Sequence, residues 1–172
     1  MTAETNMATA ADMSPTTLAK AIVERACKQK IIIVLAESCT GGLIASALTD
    51  IPGSSAVLDR GFVTYSNDAK IDLLGVSDKT LADHGAVSAE TAIAMTAGAL
   101  AATPRAALAA SVTGIAGPGG GSPDKPVGLV HFSCQRRGNA AQHERHIFTG
   151  DRETVRKKAL LNALTMIYNE LK

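Results

Sequence analysis

Two hydrophobic periodicities alternate along the chain and predict a regular succession of helices and strands. Apolar residues recur at helical spacing after Ser14–Pro15, a capping residue followed by a proline at the first helical position. The apolar, β-branched run Ile31–Ala36 is instead typical of a buried strand. Along the whole chain these patterns predict helices at residues 15–30, 43–50, 68–74, 78–83, 88–102 and 151–171, and strands at residues 31–36, 57–65, 106–112, 127–135 and 142–148.

The order of these elements predicts the fold class. Helices and strands alternate, and the last two strands form a hairpin around residues 136–140. This order favours a single-domain, three-layer α/β/α sandwich with a mixed β-sheet. With 172 residues, no internal repeat and no interdomain linker, the chain is expected to form one domain over residues 14–172. The Ala/Thr/Met-rich residues 1–13 are expected to be a disordered N-terminal segment.

A polar segment with two glycines, residues 37–42, lies where the first strand ends and the next helix begins. Free backbone amides at such a helix start attract anions and developing oxyanions. Ser38 is the side chain best placed to use that field as a nucleophile. A second interpretation is that Ser38 or Thr40 only caps the helix. Cys39 is a rival nucleophile that would need neighbours able to make it a thiolate.

Two further polar clusters, residues 65–70 and 113–125, also follow predicted strands. In an open α/β sheet, ligands gather outside the carboxyl ends of the strands, so the three clusters are expected to converge. Lys70 could then activate Ser38 as a general base if burial lowers its pKa; the alternative is an ordinary surface lysine. Tyr65 could donate a hydrogen bond or relay a proton, or it is a half-buried strand tyrosine.

The glycine-rich loop, residues 115–125, does not match a nucleotide fingerprint. No Ser or Thr follows Lys125, as a P-loop requires, and Ser122 stands where G-x-G-x-x-G needs its third glycine. The loop still has exposed amides that could wrap a ligand or hold a phosphate; otherwise it is a flexible connection. Arg152 starts the last helix, where the helix dipole disfavours a cation, and this indicates a carboxylate or phosphate partner.

Composition narrows the range of functions. The net charge is +1, and the chain has 2 Tyr, 3 Phe and no Trp, which argues against a nucleic-acid-binding surface. Three cysteines without CxxC spacing and without a signal peptide favour free thiols and a cytoplasmic protein. His143 and His146 would face opposite sides of a strand, so no metal site is expected. No apolar run reaches about 18 residues, so no membrane span is expected.

Five long segments occur in a fixed order: AESCTGGLIASALTDIPGSS, GFVTYSNDAKIDLLGV, HGAVSAETA, TGIAGPGGGSPDKPVG and FTGDRETVRKKA. Taken together, from about Leu18 to the C-terminus, they resemble the CinA C-terminal domain family. Several long motifs in order are far more specific than any single one. Some members of the family carry a further N-terminal domain linked to pyrophosphatase activity, for which this chain is expected to have no room.

The resemblance implies an amidohydrolase that converts nicotinamide mononucleotide, a small-molecule nucleotide, to nicotinate mononucleotide and ammonia in pyridine nucleotide salvage. It implies no cofactor. Amide hydrolysis needs a nucleophile, a base and oxyanion donors, and the expected roles are Ser38 as nucleophile, Lys70 as base and Tyr65 as the lysine's positioning partner. The expected oxyanion and substrate contacts are Thr40, Gly41, Gly42, Thr113, Gly114, Gly117 and Arg152.

Two alternatives remain at the level of sequence. A non-catalytic module that binds a nucleotide and regulates a partner would keep the glycine loop but lack a competent Ser38–Lys70 pair. A DNA-associated factor, which the family's historical name suggests, is disfavoured by the near-neutral charge. The Ala-rich helix at residues 88–102 could pack closely against a copy of itself, so a homo-oligomer, most simply a dimer, is expected.

Overall fold

The computed structural model describes residues 13–172, and every predicted helix and strand is present there, with ends within two residues of the prediction. The helices are α1 (Pro15–Gln29), α2 (Leu43–Thr49), α3 (Asn67–Leu74), α4 (Asp78–His84), α5 (Ala89–Ala102) and α6 (Arg152–Glu170). The strands are β1 (Ile33–Glu37), β2 (Leu58–Val63), β3 (Leu108–Gly114), β4 (Leu129–Arg136) and β5 (Gln142–Ile147). No helix within residues 13–172 has the length and apolar character needed to cross a membrane.

The predicted N-terminal segment, residues 1–13, lies outside the described residues except for Met13. Its disorder, and the domain boundary at residue 14, stay predictions. Inside the described part, the start of α1 follows the sequence signal, because Ser14 Oγ accepts a hydrogen bond from the Thr17 amide.

The five strands form one mixed sheet in the order β2-β1-β3-β4-β5. β1 pairs in parallel with both β2 and β3, whereas β4 pairs antiparallel to β3, and β5 antiparallel to β4. Parallel neighbours need long crossover connections, which the helices supply here, while the short turn after β4 permits only an antiparallel hairpin. The predicted mixed sheet is therefore confirmed.

Helices cover both faces of the sheet, which confirms the three-layer sandwich. One face packs against α1, α2 and α6, and the other against α3 and α5. Successive side chains of β3 point to opposite faces of the sheet. Leu108 and Ala110 belong to the core under α1 and α6, whereas Ala109 belongs to the core under α5.

The parallel part of the sheet determines where the polar clusters meet. Because β1, β2 and β3 run in the same direction, Glu37, Val63 and Gly114 end their strands at one edge. The prediction ended β3 at residue 112, but the strand continues to Gly114 because β4 pairs with it out to Val130. Thr113 and Gly114 therefore lie in regular sheet, with their backbone fixed, and not in a loop.

The helix α5 directs most of its small residues inward. Its buried residues pack on the sheet and on α3, and Ile93 is the large apolar side chain that α5 leaves exposed among the described residues. Most of the small residues of α5 are thus used in packing within the chain. A dimer through this helix stays a prediction.

Gly98 sets the distance between α5 and α3, the helix that carries Lys70. A Cβ atom at Gly98 would lie 1.9 Å from the carbonyl oxygen of Leu74, which is the last residue of α3. A backbone atom cannot move aside as a flexible side chain can. Glycine at this position therefore allows α3 to approach α5.

We predict that Gly98→Ala lowers the free energy of unfolding by about 2 kcal/mol or more, because the overlap with α3 outweighs alanine's helix propensity advantage of about 1 kcal/mol. Gly119→Ala is the matched control, since a Cβ there has no neighbour within 4 Å, and its change is expected to stay within about 0.5 kcal/mol. Urea unfolding measures both. Equal stability of the two variants would show that α3 is not held at this distance.

Candidate active site

A cavity of about 200 Å³ opens at the carboxyl edge of the parallel strands. All three polar clusters contribute to it, so the expected convergence is confirmed. Its lining residues are Ser38, Cys39, Tyr65, Lys70, Ala86, Val87, Thr113, Gly114, Ala116 and Arg152. The remaining residues of the expected site, which do not line the cavity, are Thr40, Gly41, Gly42 and Gly117.

Ser38 is the first residue after β1, and its position is fixed by the sheet. Its amide donates a hydrogen bond to the Val112 carbonyl of β3 at 3.0 Å, and its side chain is buried. The N-cap residue of α2 is Gly42, without a side-chain cap, so the interpretation of Ser38 or Thr40 as a helix cap is wrong. Ser38 Oγ is instead a hydrogen-bond partner of Lys70.

Lys70 is the most unusual side chain of the site, because it is 1% exposed. Its Nζ donates to Ser38 Oγ at 3.3 Å, to the Thr64 carbonyl at 2.8 Å and to the Ser66 carbonyl at 3.5 Å. Burial lowers the pKa of Lys70 below its ordinary value of 10.5. The interpretation of Lys70 as an ordinary surface lysine is therefore wrong.

The partners of Lys70 also suit the neutral form of its amine. A protonated lysine has three N–H groups, whereas the neutral amine has two N–H groups and one lone pair. The Thr64 and Ser66 carbonyls can only accept, so they match the two N–H groups of the neutral amine. In the neutral form the lone pair is left for Ser38 Oγ, which then donates, so the direction of this hydrogen bond is the reverse of that in the ammonium form. The contact can thus carry a proton from the hydroxyl to the amine.

Cys39 is not activated as a nucleophile. Its side chain packs in the core under α1 and α6, and burial raises the pKa of its thiol to about 12. A thiol in that state stays protonated at neutral pH and is a poor nucleophile. The geometry therefore favours Ser38 over its neighbour.

Tyr65 was expected to position Lys70, but its hydroxyl contacts Arg152 instead. Its side chain is 60% exposed, and its hydroxyl accepts a hydrogen bond at 2.9 Å from Nη2 of Arg152. The strand end turns Tyr65 outward, and the carbonyls on either side of it, Thr64 and Ser66, contact Lys70 instead.

Arg152, on α6, connects this helix to two other parts of the cavity wall. Besides Tyr65, it contacts the glycine loop, where its Nη1 donates to the Gly117 carbonyl at 2.9 Å. Gly117 thus contributes to the site indirectly, through Arg152. Within residues 13–172 no carboxylate pairs with Arg152, so its positive charge faces the cavity without a counter-ion.

Thr113 and Gly114 form the floor of the cavity at the end of β3. Thr113 Oγ1 donates to the Ala86 carbonyl at 2.7 Å and so joins the sheet to the segment between α4 and α5. At Gly114 a Cβ would lie 2.8 Å from the Leu129 carbonyl, so β4 leaves no room for a side chain.

Glu37 is a residue to which the sequence analysis assigns no role. Its carboxylate is buried and accepts three hydrogen bonds from the start of α2: the amides of Gly42 (2.9 Å), Ile44 (3.2 Å) and Ala45 (2.9 Å). A negative charge at a helix N-terminus is favourable, and an acidic residue just before a helix start is the sequence signal for it. Glu37 thereby fixes the loop that carries Ser38.

These contacts narrow the choice of oxyanion donors. The amide of Gly42 donates to Glu37, and that of Gly41 donates to the Ser38 carbonyl at 3.0 Å, so neither is free to bind a substrate oxygen. In the described part of the chain, the amides of Cys39 and Thr40 donate to no protein acceptor. An amide directly after the nucleophile is a recurrent oxyanion donor in hydrolases.

The other polar features nearby do not indicate a ligand. A neighbouring cavity of about 430 Å³ shares Val87 with the first one. Its wall carries both positive side chains, Lys125 and Arg145, and negative ones, Glu90 and Asp124. This mixture of charges indicates neither an anionic nor a cationic ligand. Over residues 13–172, no group of three or more His, Cys, Asp and Glu side chains could hold a metal ion.

Known proteins share both the sequence and the fold of this chain. A comparison with protein families matches residues 15–171 to the family described as the CinA C-terminal domain. The nicotinamide-nucleotide amidohydrolase PncC of Escherichia coli is 49% identical over 138 residues, which cover 80% of this chain and 83% of that protein. The protein of the same name from Enterobacter agglomerans is 52% identical over 138 residues, covering 80% and 84%.

Solved structures agree with these matches. The crystal structure of the competence/damage inducible protein CihA from Agrobacterium tumefaciens aligns with a TM-score of 0.88 and 48% identity, over 92% of this chain and 99% of that chain. The resemblance inferred from the five motifs is therefore confirmed.

The contacts of Glu37 predict its effect on stability. Glu37→Gln should lower the free energy of unfolding by about 1.5–3 kcal/mol. The glutamine side chain has only one acceptor oxygen for the three backbone amides, and its NH2 group would face these buried donors. Thermal and urea unfolding measure the change. Glu24→Gln, at an exposed carboxylate on α1, is the matched control and should change stability by less than about 0.5 kcal/mol. Equal losses in the two variants would contradict the role of Glu37.

Proposed function

Because the chain belongs to the CinA C-terminal domain family, we propose that it deamidates nicotinamide mononucleotide to nicotinate mononucleotide and ammonia, as a step of pyridine nucleotide salvage. The names of the PncC relatives support the substrate. The observation that carries the proposal is the buried contact of 3.3 Å between Lys70 Nζ and Ser38 Oγ.

The first half of the proposed reaction acylates Ser38. Neutral Lys70 takes the hydroxyl proton of Ser38 as Oγ attacks the carboxamide carbon of the nicotinamide ring. The carbonyl π electrons move to the oxygen, which becomes an oxyanion facing the amides of Cys39 and Thr40. When the tetrahedral adduct collapses, protonated Lys70 returns its proton to the departing nitrogen. The C–N bond breaks, and ammonia leaves.

The second half of the reaction regenerates the enzyme. Lys70, neutral again, accepts a proton from water as the water oxygen attacks the ester of Ser38. The C–O bond to Oγ then breaks, Lys70 protonates Oγ, and the product leaves as a carboxylic acid that ionises to nicotinate. The same amine serves both halves because it loses its proton at the end of each.

Substrate anchoring is assigned to the polar wall around the nucleophile. Arg152 is suited to the phosphate because its charge is unpaired within the described residues and its two contacts are a hydroxyl and a carbonyl. Tyr65 then acts on substrate indirectly, by orienting Arg152. Thr113, Gly114 and the loop at Gly117 would contact the ribose or the ring.

We predict that Ser38→Ala lowers the rate of ammonia release from nicotinamide mononucleotide by about 10⁴-fold or more, while calorimetry still detects nucleotide binding. Cys39→Ala keeps the backbone amide and removes only the thiol, so its loss should be within about tenfold. The reverse order of losses would assign the nucleophile to Cys39. If the wild-type chain binds the nucleotide but releases no ammonia, the non-catalytic module is the correct alternative.

For Lys70→Met we predict a change in the pH dependence of kcat. The pKa of Lys70 is lowered by burial, so the wild-type rate should rise with pH as the neutral amine accumulates and level off below pH 10.5. The Met variant should lose this rise and about 10²–10⁴ of the rate. A profile of unchanged shape in the variant would contradict the base assignment.

The same substitution gives a stability readout with a defined sign. Between its lowered folded pKa and its ordinary value of 10.5, Lys70 binds more protons in the unfolded chain than in the folded one. The stability of the wild type should therefore increase with pH across this window, relative to the Met variant. A constant difference over that window would show that Lys70 titrates normally.

A further inference from the structure

A second arginine of α6, Arg156, contacts the loop that carries the nucleophile. It lies one helical turn after Arg152 and is partly buried. Its Nε donates to the Cys39 carbonyl at 3.2 Å, and its Nη2 donates to the Thr40 carbonyl at 2.9 Å. Both acceptors belong to the backbone directly after Ser38.

Arg156 has no other polar partner that would explain its position. Within residues 13–172 it takes part in no ion pair, so its guanidinium is committed to two successive carbonyls. The planar fork of arginine suits such a pair of acceptors, whereas a lysine ammonium could not hold both in a fixed orientation.

Fixing a carbonyl also fixes the amide next to it. In a trans peptide the C=O and the following N–H point in opposite directions. The Cys39 carbonyl points at α6, so the N–H of Thr40 points away from α6. The face of the sheet opposite α6 is the one on which α3 packs, and α3 carries Lys70.

The loop is therefore held at both of its ends by opposite charges. Glu37 binds the amides of Gly42, Ile44 and Ala45, and Arg156 binds the carbonyls of Cys39 and Thr40. Within residues 13–172, the amides of Cys39 and Thr40 are the backbone donors between these contacts that have no protein acceptor.

We propose that Arg156 is a positioning residue, which orients the peptide between Cys39 and Thr40 so that its N–H binds the oxyanion formed at Ser38. This inference rests on the proposed amidase function. Arg156 does not touch the substrate, and its effect is exerted through the backbone. Loss of one oxyanion donor costs about 10²–10³ in rate, which sets the expected effect.

The kinetic test compares three variants in the ammonia assay. Arg156→Gln should lower kcat by about 10²-fold with KM within about threefold, because ground-state binding does not use the oxyanion site. Arg156→Lys keeps the charge but cannot hold both carbonyls, so its kcat should stay low. Arg25→Gln is the matched control: Arg25 contacts Tyr168, near the far end of α6, and this variant should keep its kcat.

A second readout does not depend on activity. In protein labelled with ¹⁵N-threonine and ¹⁵N-glycine, the amide signals of Thr40 and Gly41 should shift or broaden in Arg156→Gln and stay in place in Arg25→Gln. Unmoved amide signals in Arg156→Gln would overturn the proposal, even if the wild type proves inactive on nicotinamide mononucleotide. An unchanged kcat in Arg156→Gln, or a kcat restored in Arg156→Lys, would also overturn it, the latter in favour of a pure charge effect.

Discussion

The site depends on a buried lysine amine whose polar contacts within residues 13–172 are all oxygen atoms, with no carboxylate among them. A carboxylate beside Lys70 would stabilise the ammonium form and keep the amine from accepting a proton. Here the contacts are two carbonyls and the hydroxyl of Ser38, and burial lowers the lysine pKa. The same environment that disfavours the charge thus suits the amine to the role of base that we propose for it, with Ser38 as the proton donor.

The contact between Ser38 and Lys70 joins two layers of the fold, the sheet and the helices on one of its faces. Ser38 follows β1, an inner strand of the sheet, and Lys70 lies on α3, which Gly98 allows to approach α5. The loop between β1 and α2 is fixed by Glu37 from inside the sheet edge and by Arg156 from α6. Ser38, Lys70 and the amides of Cys39 and Thr40 are consequently held by rigid elements, and the proposed amide hydrolysis requires this preorganisation.

The local sequence pattern was sufficient to predict the architecture and the edge of the sheet at which the site lies. Strand and helix signals located β1, β2 and β3, and their parallel order follows from the helices between them, so the convergence of Ser38, Lys70 and Thr113 was predictable. The pairing of Ser38 with Lys70 was predicted from their residue types and expected convergence, whereas the reaction and its substrate were implied by the family motifs. The contacts of Tyr65 with Arg152 and of Arg156 with Cys39 join residues 87 and 117 positions apart. The spacing of residues within one helix or strand does not predict pairs so far apart in the sequence. The hydrogen bonds of Glu37 to the amides at the start of α2 likewise depend on how the loop folds back.

The state of Lys70 itself can be measured directly, in the absence of any substrate. In protein labelled with ¹³C at lysine Cε, an NMR titration follows each lysine, and the Lys70→Met variant identifies the signal of Lys70. We expect that one signal to titrate below pH 10.5, the ordinary value for a lysine. Titration of Lys70 at or above pH 10.5 would contradict the central claim that burial beside Ser38 disfavours the charged amine.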